Sequence, residues 1–148
     1  MAGTLWEDDD RTAVLVRFER LRPDARPQWG SLDAPRMVTH VTDTLRAGLG
    51  ELPLTPLRGP LQYWPINMLV MFHLPWPKGA PTAPELLSRL PTDWYEEIAT
   101  LRATVDRFVE RDIDGPWPAH AAFGSINGRD WGRLMYRHMD HHLVQFRA

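Results

Sequence analysis

The stretch Thr92–Arg111, TDWYEEIATLRATVDRFVER, carries apolar residues at Trp94, Ile98, Leu101, Val105 and Phe108, separated alternately by four and three positions. That spacing gathers the five side chains on one face of an α-helix. Thr92 stands where an N-cap is expected, so the sequence predicts a helix over about 93–111. No proline interrupts it, and the placement of proline organises the rest of the chain.

Proline removes a backbone donor and clashes with the preceding turn, so helices avoid it beyond their first turn. The 14 prolines leave four long free windows, at residues 1–22, 36–52, 92–115 and 119–148, while nine crowd the segment Pro53–Pro91. In the first window Val14, Phe18 and Leu21 recur at helical spacing behind the acidic run Glu7–Asp10, which suits the positive end of a helix dipole. A helix over about 8–21 follows. In the second, Asp33 is placed to cap, Pro35 lies in the first turn, Met37, Val41 and Leu45 form a stripe, and glycines close a helix over about 34–48. The last window opens on Asn127 as a cap, with Asp130 placed to reach back to it, and continues through Leu134, His138 and His142 nearly to the terminus.

Roughly 40 residues separate the second and third of these helices, too many for a simple turn. The apolar run INMLVMFHL within them predicts one short helix. Neither alternating strand patterns nor an internal repeat opposes an all-α reading: one domain over residues 1–148, a four-helix bundle with a long, partly structured crossover between helices 2 and 3.

At 148 residues the chain is long enough to bury a core without external staples. It has no cysteine, which excludes disulfides, thiolate metal sites and a cysteine nucleophile, and leaves His, Asp and Glu to hold any metal. A net charge of -2 gives no electrostatic case for nucleic acid. The N-terminus, MAGTLWEDDDRTAVLV, carries acids where a secretory signal carries bases, and no apolar run reaches the ~20 residues of a membrane span, so no membrane association and a cytoplasmic location are expected.

Three of the six histidines fall within five residues, in YRHMDHHLVQF, Tyr136–Phe146. Residues four apart share a helix face, so His138 and His142 can aim at one point and extend the inward stripe from Leu134. A His138/His141 pair, three apart, is open as well. The third ligand has to come from another helix. His40, one turn after Met37 and beside Val41 and Thr44, stands at the edge of a buried face. Three neutral imidazoles leave a divalent ion with an open position, the arrangement of catalytic zinc sites. The competing reading for each histidine is hydrogen-bonded packing, and it is the ordinary one for His73, in an apolar run, and for His120, in PWPAHAAFG. Around the cluster, Gln145 and His141 are candidates to orient a ligand or line a pocket, together with Tyr136, Trp64, Trp76, Trp117 and His120. Asp140 falls on the far side of the helix, where an arginine partner is expected. The turn-rich PWPKGAPTAPEL, Pro75–Leu86, can form a wall over the open end, with Lys78 at its tip.

MVTH on the second helix and HMDHHLVQF on the last, with WGSLDAPRMVTHV, PWPKGAPTAPEL and HAAFGSINGRDWGRLMYRHMDHHLVQF in order, resemble an uncharacterised branch of the DinB/YfiT-like metalloenzyme superfamily over most of the chain from Trp29. The branch usually has proline after the histidine where this chain has Ala121 after His120. The resemblance implies a four-helix bundle and a metal triad that falls on His40, His138 and His142. It implies one divalent ion per chain, zinc or nickel before iron or manganese, and a small-molecule substrate. Other members transfer low-molecular-weight thiols such as bacillithiol or mycothiol, or use them to isomerise substrates. The expected function is therefore a metal-dependent transferase that activates such a thiol. A metal-dependent hydrolase, or a non-catalytic, metal-stabilised dimeric bundle, stands as the alternative, and homodimers are common among bundles of this kind.

Overall fold

Five α-helices form in the computed structural model of the protein, which describes residues 3–80 and 82–148: α1 Asp8–Arg20, α2 Ala34–Gly48, α3 Ile66–Phe72, α4 Trp94–Glu110 and α5 Gly128–Gln145. Short 3-10 turns at Pro60–Gln62 and Pro84–Leu87 complete the regular structure, and no strand is found among the described residues. The chain is all-helical, as its periodicity demands. Met1, Ala2 and Pro81, the last within the turn-rich PWPKGAPTAPEL, lie outside the described residues.

Local signals account for the helix starts. Asp33 accepts from the Arg36 N–H at 2.9 Å, and Asn127 accepts from the Asp130 N–H at 2.9 Å, each satisfying a donor the helix leaves free. The Asp130 carboxylate lies 3.5 Å from Arg133. At α4 the cap is Asp93, one residue later than expected, accepting from the N–H groups of Tyr95 and Glu96. Thr92 instead donates both its N–H and its hydroxyl to Glu97, each at 3.0 Å. A carboxylate offers one acceptor to two N–H groups of the first turn, so Asp93 outcompetes its neighbour.

Burial follows the stripes. Val14, Phe18 and Leu21, then Met37, Val41 and Leu45, then Leu101, Val105 and Phe108 are buried, while Trp94 and Ile98 are partly covered. Each fully buried side chain of this size contributes about 1.5–3 kcal/mol of transfer free energy. Helix α2 packs against α4, α5 and the 84–87 turn, and α1 packs against α4 and α5. Every residue of α2 from Met37 to Leu45 is buried, including three threonines whose hydroxyls donate back to the carbonyls of Arg36, Val38 and His40.

The N-terminal strap reaches the far side of α5. Leu5 is fully buried and the Trp6 indole N–H donates to Gly128 O at 2.9 Å. The indole lies so close to Gly132 that a Cβ there would fall 2.1 Å from it, so only glycine fits that turn of α5.

The crossover between α2 and α4 contains α3 and two 3-10 turns where one short helix was expected. It is sewn to the turn that precedes α5. Leu57 N–H donates to Ala121 O at 2.8 Å, Gln62 donates from its amide to the same carbonyl, and Asn67 donates to Phe123 O. Gly124, at φ +72°, abuts Gln62 so closely that a Cβ would meet its carbonyl at 2.4 Å. From α5, Arg137 donates to the carbonyls of Val70, Met71 and Leu74 at the end of α3 and lies over the Trp76 ring. The segment before α4 is fixed by charge. Arg89 donates to the buried carboxylates of Asp43 on α2 and Glu97 on α4, at 3.0–3.2 Å.

No helix among the described residues is long and apolar enough to cross a membrane.

Candidate metal centre

Three imidazoles meet where α2 faces the C-terminal half of α5. His40 Nε2 and His142 Nε2 each lie 3.1 Å from His138 Nε2. The helical spacing that brings His138 and His142 to one face is the one anticipated, and His142 rather than His141 is the second α5 member.

Their protonation follows from what lies behind them. His40 Nδ1 is 3.2 Å from Leu86 O. A carbonyl only accepts, so Nδ1 carries the proton and Nε2 presents a lone pair. Gln145 fixes His142 in the same way. Its amide nitrogen donates to Trp29 O at 2.7 Å, which turns its oxygen toward His142 Nδ1 at 2.8 Å. That nitrogen therefore donates, and His142 Nε2 is also a lone pair. His138 Nε2 faces both, and a single proton on it can satisfy only one. His138 Nδ1 is buried without a hydrogen-bond partner among the described residues.

Acidification is a poor remedy for the remaining repulsion. Burial drives the His138 imidazole well below its ordinary value of 6.5, with the nearby His142 and His40 adding to the shift. Burial, then His40, lowers His142 to about 3 against the opposing hydrogen bond that it donates to Gln145. His40 is lowered chiefly by burial, opposed by the Leu86 hydrogen bond and the Asp43 charge. Neutral imidazoles with convergent lone pairs are what a divalent cation requires. Two imidazole nitrogens on one tetrahedral ion at ~2.0–2.1 Å stand roughly 3.3 Å apart, close to the 3.1 Å seen here. His40, His138 and His142 can hold a metal ion.

The triad opens on a cavity of about 450 Å³. Pro75–Leu86 supplies one wall through Trp76, Pro77, Thr82 and Leu86, as expected of that segment, while the remaining walls include Trp29, Leu57, Phe123 and Trp131. Among the described lining residues none is Asp, Glu, Lys or Arg. Lys78 sits outside over the Trp29 ring, 4.8 Å from its centroid. His141 lines the cavity, with its ring 5.6–5.7 Å from those of Trp76 and Trp29, and shields the triad without joining it. His120 lines the cavity too, on the turn before α5.

Other candidates lie elsewhere. Tyr136 is two residues before His138, about 200° round the helix. It faces the N-terminal strap and α1, against Gly3 and near Asp10, Asp140 and Arg17, and burial and those carboxylates raise its pKa. Trp64 is 79% exposed. Trp117 packs against Trp6, Phe108 and Trp131, behind the cavity wall. His73 is exposed at the end of α3. Asp140 pairs with Arg17 at 2.7 Å.

Two contributors carry no signal of their own in the sequence. Leu86 acts through a backbone carbonyl on an aperiodic segment, and Arg89 anchors that segment. Glu97 could have been found, since it is three residues after Trp94 and four before Leu101, on the apolar face of α4.

No curated protein and no solved structure matches the chain. A family model does, over residues 68–148, a span that includes His120, His138 and His142 and leaves His40 outside. As that match covers more than half of its length, the chain belongs to the family described as "Protein of unknown function (DUF1569)".

Proposed function

We propose that the chain is a metal-dependent enzyme of DinB-like four-helix-bundle type, holding one divalent ion at His40, His138 and His142. Its reaction is transfer of a low-molecular-weight thiol to a small substrate in the cavity. The observation that carries this reading is the convergence of three Nε2 atoms, two of them fixed as lone pairs by Leu86 O and Gln145. Packing alone would not leave buried like groups facing one another. α1, α2, α4 and α5 supply the four helices of the bundle, and α3 lies in the long crossover.

A divalent cation held by His40, His138 and His142 would lower the pKa of a thiol or water bound to it. The protein's own residues then have limited tasks. His40 and His142 keep their tautomers through their hydrogen bonds, Trp29 and Trp76 exclude water, and the apolar walls hold the substrate against the triad. Thiol transfer is preferred to hydrolysis on the resemblance to superfamily members that use such thiols, since a cation at the triad would lower the pKa of water as well as that of a thiol. Zinc and nickel both suit three imidazoles.

Metal analysis of protein purified without a polyhistidine tag tests the site. One ion per chain is expected, falling to near zero in His138→Ala and in His142→Ala, with circular dichroism showing retained helix. Full occupancy in both variants would sink the proposal. Turnover that requires an added thiol supports transfer, and turnover without one supports hydrolysis.

A further inference from the structure

His120 is held in one tautomer and faces the cavity. Its Nδ1 accepts from the backbone N–H groups of Ala122, at 3.0 Å, and Phe123, at 3.2 Å. A nitrogen that accepts two N–H bonds carries no proton, so in the neutral ring the proton is on Nε2. Burial lowers the pKa of the ring to about 4, which keeps it neutral near pH 7. The turn is rigid. His120 and Gly124 exchange two backbone hydrogen bonds, at 2.8 and 2.9 Å, and the imidazole lies 5.0–5.1 Å from the rings of Phe123 and Trp131. Nδ1 is turned back on its own turn, so Nε2–H is the edge left for the cavity, and it has no hydrogen-bond partner among the described residues.

Besides the hydroxyls of Ser31 and Thr82 and the ring of His141, the cavity has two polar poles fixed by hydrogen bonds behind them: the lone pairs of the triad and one N–H donor. No Asp, Glu, Lys or Arg stands among the described lining residues to neutralise a charged ligand. We infer that His120 is a specificity-determining donor, and that the ligand is an uncharged, largely apolar molecule with a carbonyl-type acceptor that receives the His120 Nε2–H while its other end meets the triad. The inference rests on the metal reading only for what the other end meets. The donor itself belongs to the turn.

His120→Asn separates this role from a structural one, because an asparagine side-chain oxygen can take the place of Nδ1 and accept from Ala122 and Phe123, whereas nothing in it reaches the place of Nε2. The cobalt-substituted protein is titrated with N-acetylcysteamine, an uncharged thiol bearing an amide, and with 1-hexanethiol, of similar length without an acceptor, following the cobalt absorption. His120→Asn is expected to weaken N-acetylcysteamine by several-fold to about tenfold, the worth of one hydrogen bond, and to leave 1-hexanethiol within about twofold. Equal changes for both thiols, or none, overturn the inference. Nitrogen-15 NMR of the histidines in metal-free protein is a second arm. It should show His120 unprotonated at Nδ1 and protonated at Nε2, with the Nε2–H resonance moving on addition of N-butylacetamide. A proton on Nδ1, or no response to the amide, overturns it as well. If the protein takes up no cobalt, the metal reading fails, and the NMR arm alone decides the role of His120.

Discussion

Two buried polar clusters share helix α2 three residues apart, and they are built on opposite principles. Around Asp43, charge is balanced from within: two carboxylates that are each 2% exposed are joined by Arg89, and Arg46 lies 3.3 Å from Asp43. Around His40, three like groups converge with nothing of opposite character among them. The first cluster balances its charges within the chain, although Arg89 Nη2 is buried without a hydrogen-bond partner among the described residues, and it ties α2, the segment before α4 and α4 together. The second can be completed by a cation, as proposed above. Burial of polar groups, and one unpartnered nitrogen, are common to both, so neither alone marks a functional site; the marker is a set of like groups converging with no opposite charge among them. The two are also coupled, since Arg89 anchors the segment whose Leu86 carbonyl fixes the His40 tautomer.

Removing one member of each cluster breaks the comparison most sharply. Arg89→Ala leaves the buried Glu97 carboxylate without its counter-ion and Asp43 with Arg46 alone, and should cost about 3–5 kcal/mol in urea denaturation. His138→Leu in metal-free protein removes an unpartnered Nδ1 and a lone-pair conflict, and is expected to be neutral or stabilising. The ranking reverses when metal is added. Wild-type protein should gain about 2.7 kcal/mol at a free metal concentration one hundred times its Kd, and His138→Leu should gain nothing. If His138→Leu costs as much as Arg89→Ala without metal, the triad is structural packing and the contrast disappears.

Gln145 offers a smaller, more selective change. It is 4% exposed, and it fixes His142 by accepting from Nδ1 while donating to Trp29 O. Gln145→Leu keeps much of the volume but frees the ring. Metal affinity, measured by competition with a chelator, should fall 10–100-fold with the His40–Leu86 contact untouched. Gln145→Glu can still accept from Nδ1 and should retain more of the affinity than Gln145→Leu.

The difference between the clusters also explains what could be read beforehand. Helical periodicity is local, so α1, α2, α4 and α5 were legible within a residue or two, and HxxxH spacing placed His138 and His142 together. His40 was found because it stands on the edge of an apolar stripe. The groups that tune the triad were less accessible. A backbone carbonyl 46 residues away, Leu86 O, has no side-chain signature. Gln145 was in view as a candidate, but its true partner, His142, depended on which way its amide points, and the Trp29 carbonyl decides that. Tyr136 and Trp117 were drawn toward the pocket by residue type. The helix angle from His138 argued against the first, and nothing short of tertiary packing could place the second.

The smallest expected effect per step is in pH, and it distinguishes the clusters by window. His142, at about 3, and His120, at about 4, both lie below the 6.5 of an unfolded imidazole. As pH falls from about 6.5 toward those values, the unfolded chain takes up protons that the folded chain refuses. Stability therefore declines with acidification, by up to about 1.4 kcal/mol per pH unit for each such group. Glu97 acts in the same sense but in a lower window. Burial works to raise its pKa, but the Thr92 N–H, Arg89 and the Thr92 hydroxyl outweigh it and leave the value lowered from 4.5. Its contribution is present above about 4.5 and lost only below. Urea denaturation of metal-free protein should therefore show stability already falling between pH 6.5 and 5, before Glu97 is protonated. His120→Asn should make that slope shallower without moving the later loss. A flat profile down to pH 5 would mean that the imidazoles find protons inside the fold, and the triad would then resemble the self-balanced cluster beside it.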